Sequence, residues 1–142
     1  MGDLKLTYQV DGGDLVQAGE ASSQIKMTLK KLGLPPEIIR KASVCMYEGE
    51  INMVIHADGG RVEVEVGMDA ITIRLIDQGP GIPDVDRAME EGYSTAGDVA
   101  RDLGFGAGMG LPNMKRYSDE MRIDTTVGVG TTVTMRIDIN NG

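Results

Sequence analysis

The chain has 142 residues, 41% hydrophobic and 25% charged, which suits one soluble globular domain able to bury a full core. Its net charge of −8 argues against a nucleic-acid partner, because neutralising phosphates takes a basic face. One cysteine, Cys45, excludes an internal disulfide and a cysteine metal site. The start carries no basic and apolar leader, and no apolar run approaches the ~18 residues of a membrane span. The expectation is a cytoplasmic protein with no membrane partner.

Leu4, Leu6, Tyr8 and Val10 alternate with polar residues, which predicts a half-buried strand ended by Asp11-Gly12-Gly13-Asp14. Ile25, Leu29 and Leu32 recur at helical spacing, which predicts a helix over 20–32 with Gly33 as its stop. Leu34-Pro35-Pro36 opens a longer helix, with Ile38, Ile39, Ala42, Cys45, Met46, Ile51, Val54 and Ile55 as apolar positions. That helix runs to about Ala57 and is closed by Asp58-Gly59-Gly60. Strands over 61–66 and 70–77 follow, joined by Gly67-Met68-Asp69; Val62, Val64 and Val66 alternate with charge, whereas ITIRLI reads as more buried. A polar segment between Pro83 and Gly104, with a short helix near 85–91, has the length of a functional lid. A glycine run then leads into a helix over 111–118, and strands over 121–126 and 131–139 are joined by Val127-Gly128-Val129-Gly130. This order describes an α+β fold: a two-layer sandwich whose mixed, mainly antiparallel sheet carries helices on one face, in a single domain over 1–142. Ten methionines supply bulk where aromatics are scarce, an adaptable core.

Three groups of residues carry chemistry. Glu48, Asn52 and His56 fall at i, i+4 and i+8 on one side of the second helix. They form either a solvated stripe or, since Cys45 and Ile55 lie close to the same side, a polar border to the core. Carboxylate and amide oxygens at this spacing suit a hard cation such as Mg²⁺. Asp77-Gln78-Gly79-Pro80-Gly81 is either an ordinary proline-glycine turn or a carboxylate placed to accept from an exocyclic amine, with Gly79 and Gly81 letting a base lie against backbone. The run from Gly104 to Leu111 opens a helix, and backbone N–H groups at a helix start bind anions. It matches neither the dinucleotide fingerprint nor the lysine-bearing phosphate loop. Eight of the 20 glycines lie between Gly79 and Gly110, a concentration that points to a nucleotide site.

In this order, Glu48xxxAsn52, Asp77xGly79xGly81 and the glycines from 104 to 110 resemble the N, G1 and G2 boxes of the Bergerat-type ATPase fold shared by gyrase B, Hsp90, histidine kinases and MutL. The short length, the segment 18–33, EGYSTAGD and the ending GMGLPNMKRYSDEMRIDTTVGVGTTVTM are similar to anti-sigma-factor serine kinases, and most to the small switch kinases of stress-response modules. The resemblance implies ATP or ADP as nucleotide, Glu48 as general base and Asn52 as the Mg²⁺ ligand. Asp77 would bind the adenine amine, with Gly79 and Gly81 beside the base and Thr131 supporting adenine, through water. Gly106, Gly108 and Gly110 would cradle phosphate, Gly104, Met109 and Leu111 belonging to the same nucleotide-binding run. A lid over about 84–107, around Ser94 and Thr95, would close over ATP. His56 is given at most a place near the nucleotide. Gly49-Glu50, inside the first box, departs from the small apolar residues expected there; it would admit a neighbouring strand closely or weaken the site.

The function so implied is an ATP- and Mg²⁺-dependent serine/threonine protein kinase of the anti-sigma regulatory type. Its substrate would be a small antagonist protein of the anti-anti-sigma type; a sigma factor or other regulator as partner, and a homodimer, stay open. A nucleotide-sensing regulator with little or no catalysis is the alternative. A gated ATPase or histidine-kinase fragment ranks below both, since such machines use a second domain.

Overall fold

The structure, a computed structural model, describes residues 4–11, 19–56, 59–79, 81, 89 and 110–139, the side chains of Asp11, Ile55 and His56 excepted. In chain order its elements are β1 (Leu4–Asp11), α1 (Glu20–Lys31), α2 (Pro36–His56), β2 (Gly59–Val66), β3 (Ala70–Asp77), α3 (Gly110–Tyr117), β4 (Glu120–Thr126) and β5 (Gly130–Asp138). The strands form one sheet in the order β1-β2-β3-β5-β4. All four pairings are antiparallel, and no parallel pair occurs among the described residues. The helices cover one face, giving the expected two-layer α+β sandwich.

One-sided cover explains the burial pattern. Ile71, Ile73 and Leu75 of β3 point into the core while Thr72, Arg74 and Ile76 are half-buried, so the ITIRLI run alternates across the sheet and is more buried than 61–66 of β2, as its composition suggests. On the open face, Arg61–Glu63, Arg74–Glu65 and Arg122–Asp124 form direct, solvent-exposed ion pairs. The core gathers Ile25 and Leu29 of α1, Met46 and Met53 of α2, Met114 of α3, and Val62, Val64, Ile71, Ile73, Met135 and Ile137 of the sheet. Four of these are methionines, whose unbranched side chains fill irregular space between helix and sheet.

The local stops work largely as the sequence predicts. Gly33 follows α1 and sends its N–H back to the Lys30 carbonyl at 3.1 Å. Gly67 N–H donates to the Ala70 carbonyl at 3.0 Å and closes the β2–β3 hairpin. Gly59 and Gly60 differ from expectation: they begin β2 instead of closing the helix, paired with Asp11 and Val10 of β1. A glycine pair reads as a turn, but the edge strand continues to Asp11 and draws both residues into the ladder.

α2 is the central helix, packed against α1 on one side, α3 on the other and the sheet beneath. At Gly49 an added Cβ would collide with the Leu75 side chain, so the helix lies flush on β3 only because this position is bare. The interruption in the first box is therefore a packing device.

Candidate active site

Three contacts align α2 with α3. The Arg40 guanidinium stands 5.6 Å from the centre of the Tyr117 ring. Cys45 Sγ donates to the Met114 carbonyl at 3.7 Å. Asn113 Nδ2 donates to Glu48 Oε2 at 3.3 Å. Ascending α2 from 40 to 48 descends α3 from 117 to 113, so the helices run antiparallel. The C-terminal half of α2, bearing Glu48 and Asn52, thus lies beside the start of α3, into which the glycine run leads.

The strand end bearing Asp77 lies at the same end of the molecule. Gly49 faces Leu75, and a Cβ built on Gly60 would stand 2.9 Å from Met53 Sδ and 3.1 Å from Asp77 Cα. α2 and β3 therefore progress in one direction, and the turn holding Asn52 overlies the last residues of β3. Glu48 and Asn52 are both half-buried, as a polar border to the core requires. The side chain of His56 lies outside the described residues.

Asp77 is register partner to Thr131 across β3 and β5. Its Oδ1 accepts the N–H of Gly79 at 2.9 Å and of Thr131 at 3.2 Å. Two backbone donors on one oxygen fix the carboxylate in orientation, and a carboxylate has about four acceptor positions, so capacity remains for a further donor. Thr131 is 7% exposed, and its hydroxyl meets that of Thr125 at 2.9 Å. At Gly81, φ is 80° and an added Cβ would stand 2.6 Å from the Thr126 carbonyl oxygen. The glycine there seats the chain leaving β3 against the β4–β5 turn.

Of the other expected nucleotide residues, Gly110 begins α3 and the Leu111 side chain is buried in the core. Ser94, Thr95, Gly104, Gly106, Gly108 and Met109, with the lid over about 84–107 and its short helix near 85–91, lie outside the described residues, Met89 apart. Among the described residues no group of three or more His, Cys, Asp or Glu side chains is placed to hold a metal ion.

Three residues escape the sequence reading. Glu50, only 2% exposed, accepts from Gly19 N–H (3.0 Å) and Ala21 N–H (3.2 Å) on Oε2, and from Ser22 N–H (2.8 Å) and the Ser22 hydroxyl (2.7 Å) on Oε1. It caps α1 from another helix, where Gly19 has no side chain to do so. Its place between Met46 and Val54, on a buried stripe at i, i+4 and i+8, was the available signal. Asn113 and Thr125 had none, since their partners are fixed only by the fold. Burial pushes the Cys45 thiol up to about 12, against the lowering effect of its backbone hydrogen bond, and the charge of Glu48 adds to the rise. The Tyr47 phenol is raised by partial burial first, then by Glu48 and Glu50.

The two-layer α+β fold, with its antiparallel sheet covered by helices on one face, is consistent with an ATPase class. The chain belongs to the family described as histidine kinase-, DNA gyrase B-, and HSP90-like ATPase, whose model matches residues 33–141. Among curated relatives it is similar to the serine/threonine-protein kinase RsbT of Bacillus subtilis, 32% identical over 124 residues, covering 84% of this chain and 85% of that one. It is also similar to the anti-sigma F factors of Clostridium beijerinckii, 31% identical over 129 residues (85% and 87% covered), and of Pasteuria penetrans, 36% over 125 residues (82% and 80%).

Proposed function

We propose that this chain is a single-domain, ATP- and Mg²⁺-dependent serine/threonine protein kinase of the anti-sigma regulatory type. It would phosphorylate a small antagonist protein of the anti-anti-sigma type, in the cytoplasm, and so switch which partner is bound. The observation that carries this reading is the shared end of α2, β3 and α3, which collects a carboxylate, an amide, an oriented aspartate and a helix start. The names of the relatives support the reading, one a kinase and the others anti-sigma factors.

Glu48 is assigned the proton of the attacking serine or threonine hydroxyl, and one of its oxygens is free of described hydrogen bonds for that purpose. Asp77, held by two backbone donors, accepts from the adenine amine; Thr131 beside it supports the base. The start of α3 receives phosphate through backbone N–H groups. Asn52 offers one neutral oxygen to Mg²⁺, which fits an ion that takes few protein ligands and completes its shell with phosphate oxygens and water. Bound there, Mg²⁺ would neutralise charge on the phosphates. Transfer of this kind rests on positioning and charge neutralisation, which these residues can provide. Gly49-Glu50, which left room for a weakened site and so for a non-catalytic regulator, serves to pack α2 against β3 and to cap α1.

The test is incubation with γ-labelled ATP, Mg²⁺ and a panel of small anti-anti-sigma-type proteins from the same organism. Transfer to serine or threonine is expected, with Glu48→Gln lowering it by about 10²–10⁴-fold. No transfer, or equal transfer by Glu48→Gln, would sink the assignment. Nucleotide-dependent complex formation without turnover would favour the sensing regulator instead.

A further inference from the structure

We infer that Asn113 is a positioning residue for Glu48, acting through that carboxylate and not on nucleotide or substrate; the inference rests on the kinase reading above. Asn113 lies in the first half of α3, and its Nδ2 reaches Glu48 Oε2 at 3.3 Å across 65 residues of chain. The polarity of the contact is settled by chemistry, because a carboxylate here only accepts and the amide must turn its nitrogen toward it. This is the one hydrogen bond to Glu48 among the described residues, and it falls on a single oxygen. A long, half-buried side chain with three rotatable bonds is thereby held at one oxygen while the other is left for an incoming hydroxyl.

The contact also sits on a rigid frame. Cys45–Met114 and Arg40–Tyr117 fix the register of α3 on α2, so Asn113 cannot slide along Glu48 without breaking both. The helix that presents Asn113 begins at Gly110, the end of the glycine run. One element therefore carries the phosphate-facing helix start and the group that aims the base. A shift of α3 changes both together, which ties the direction of Glu48 to the seating of the nucleotide.

The test uses the full chain in the transfer assay with γ-labelled ATP and the antagonist panel. Asn113→Ala should lower kcat about ten- to a hundred-fold while changing the KM for ATP, and the affinity for a fluorescent ATP analogue, less than about two-fold. The isosteric Asn113→Asp, which sets an acceptor and a second negative charge against Glu48, should lower kcat further, with a modest fall in the unfolding midpoint from the like-charge contact. Combined with Glu48→Gln, neither substitution should lower transfer again, since the group it acts through is gone. A wild-type kcat in Asn113→Ala, a loss confined to KM, or a loss that multiplies on the Glu48→Gln background overturns the inference with the kinase reading intact. Absence of transfer by the unaltered chain overturns the kinase reading, and this inference with it.

Discussion

On the side of α2 turned to α1, Glu50 is 2% exposed and accepts four hydrogen bonds; on the side turned to α3, two residues earlier, Glu48 is half-buried and accepts one among the described residues. The first carboxylate is saturated by fixed backbone donors and a hydroxyl, so its charge is spent on holding a helix start. The second keeps acceptor capacity open toward the end of the molecule where Asn52 and Asp77 lie. Two like residues on one helix are thus separated by their surroundings into a structural and a reactive one. The lesson is that the count of satisfied acceptors, and not burial or spacing alone, distinguishes them.

Stability measurements sharpen the contrast. Glu50→Ala leaves three backbone N–H groups and a serine hydroxyl without their acceptor and removes the α1 cap. A loss of about 2–4 kcal/mol is expected in denaturant unfolding. Glu48→Gln, which cripples transfer in the assay above, should change unfolding by no more than about 0.5 kcal/mol. A large loss for Glu48→Gln, or none for Glu50→Ala, would break the distinction.

Next in size is Gly49→Ala. Helix propensity favours alanine by about 1 kcal/mol, but the new methyl runs into Leu75 and overpacking costs about 1–3 kcal/mol. A net loss of up to about 2 kcal/mol is expected, and a Gly49→Ala/Leu75→Val pair should recover part of it. Stabilisation by Gly49→Ala alone would show that the helix does not need to lie flush on the strand.

The smallest effect concerns Cys45, whose thiol is raised from 9.0 to about 12 in the fold. Its protonated form is favoured by folding, so its contribution is complete below pH 9 and is lost as pH climbs toward 12. Between pH 9 and 10 the loss amounts to about 1 kcal/mol. Cys45→Ala should unfold on a flatter slope over that interval, whatever its stability at neutral pH. Parallel slopes for the two proteins would contradict the burial of the thiol against α3.

Most of the architecture was legible because each element has one covered face. Val62 and Val64 of β2, and Ile25 and Leu29 of α1, mark that face with periods of two and of three to four residues. Glu48xxxAsn52 and the Asp77 motif were legible as motifs because their parts lie close in sequence. Gly59-Gly60 was misread since its strand partners, Val10 and Asp11, are remote, and a glycine pair carries no pattern of its own. Glu50 looked like a flaw in the first box because its four donors lie 28 to 31 residues upstream. Asn113 carried no signal for the same reason over a longer span: side-chain partners across a fold are set by packing that local pattern does not encode.

The pairing of Asp77 with Thr131 spans 54 residues, yet the two ends meet in the middle of the sheet through backbone register and a side-chain hydrogen bond. Closing such a loop costs free energy only as the logarithm of its length, about 0.6 kcal/mol for each doubling. With Gly81 seated on the β4–β5 turn and α3 locked to α2, both ends of the stretch from 82 to 109 are anchored independently of what lies between them. The sheet register and the α2–α3 frame are therefore set by residues outside that stretch, and the two halves of the site are held in place from opposite sides of it.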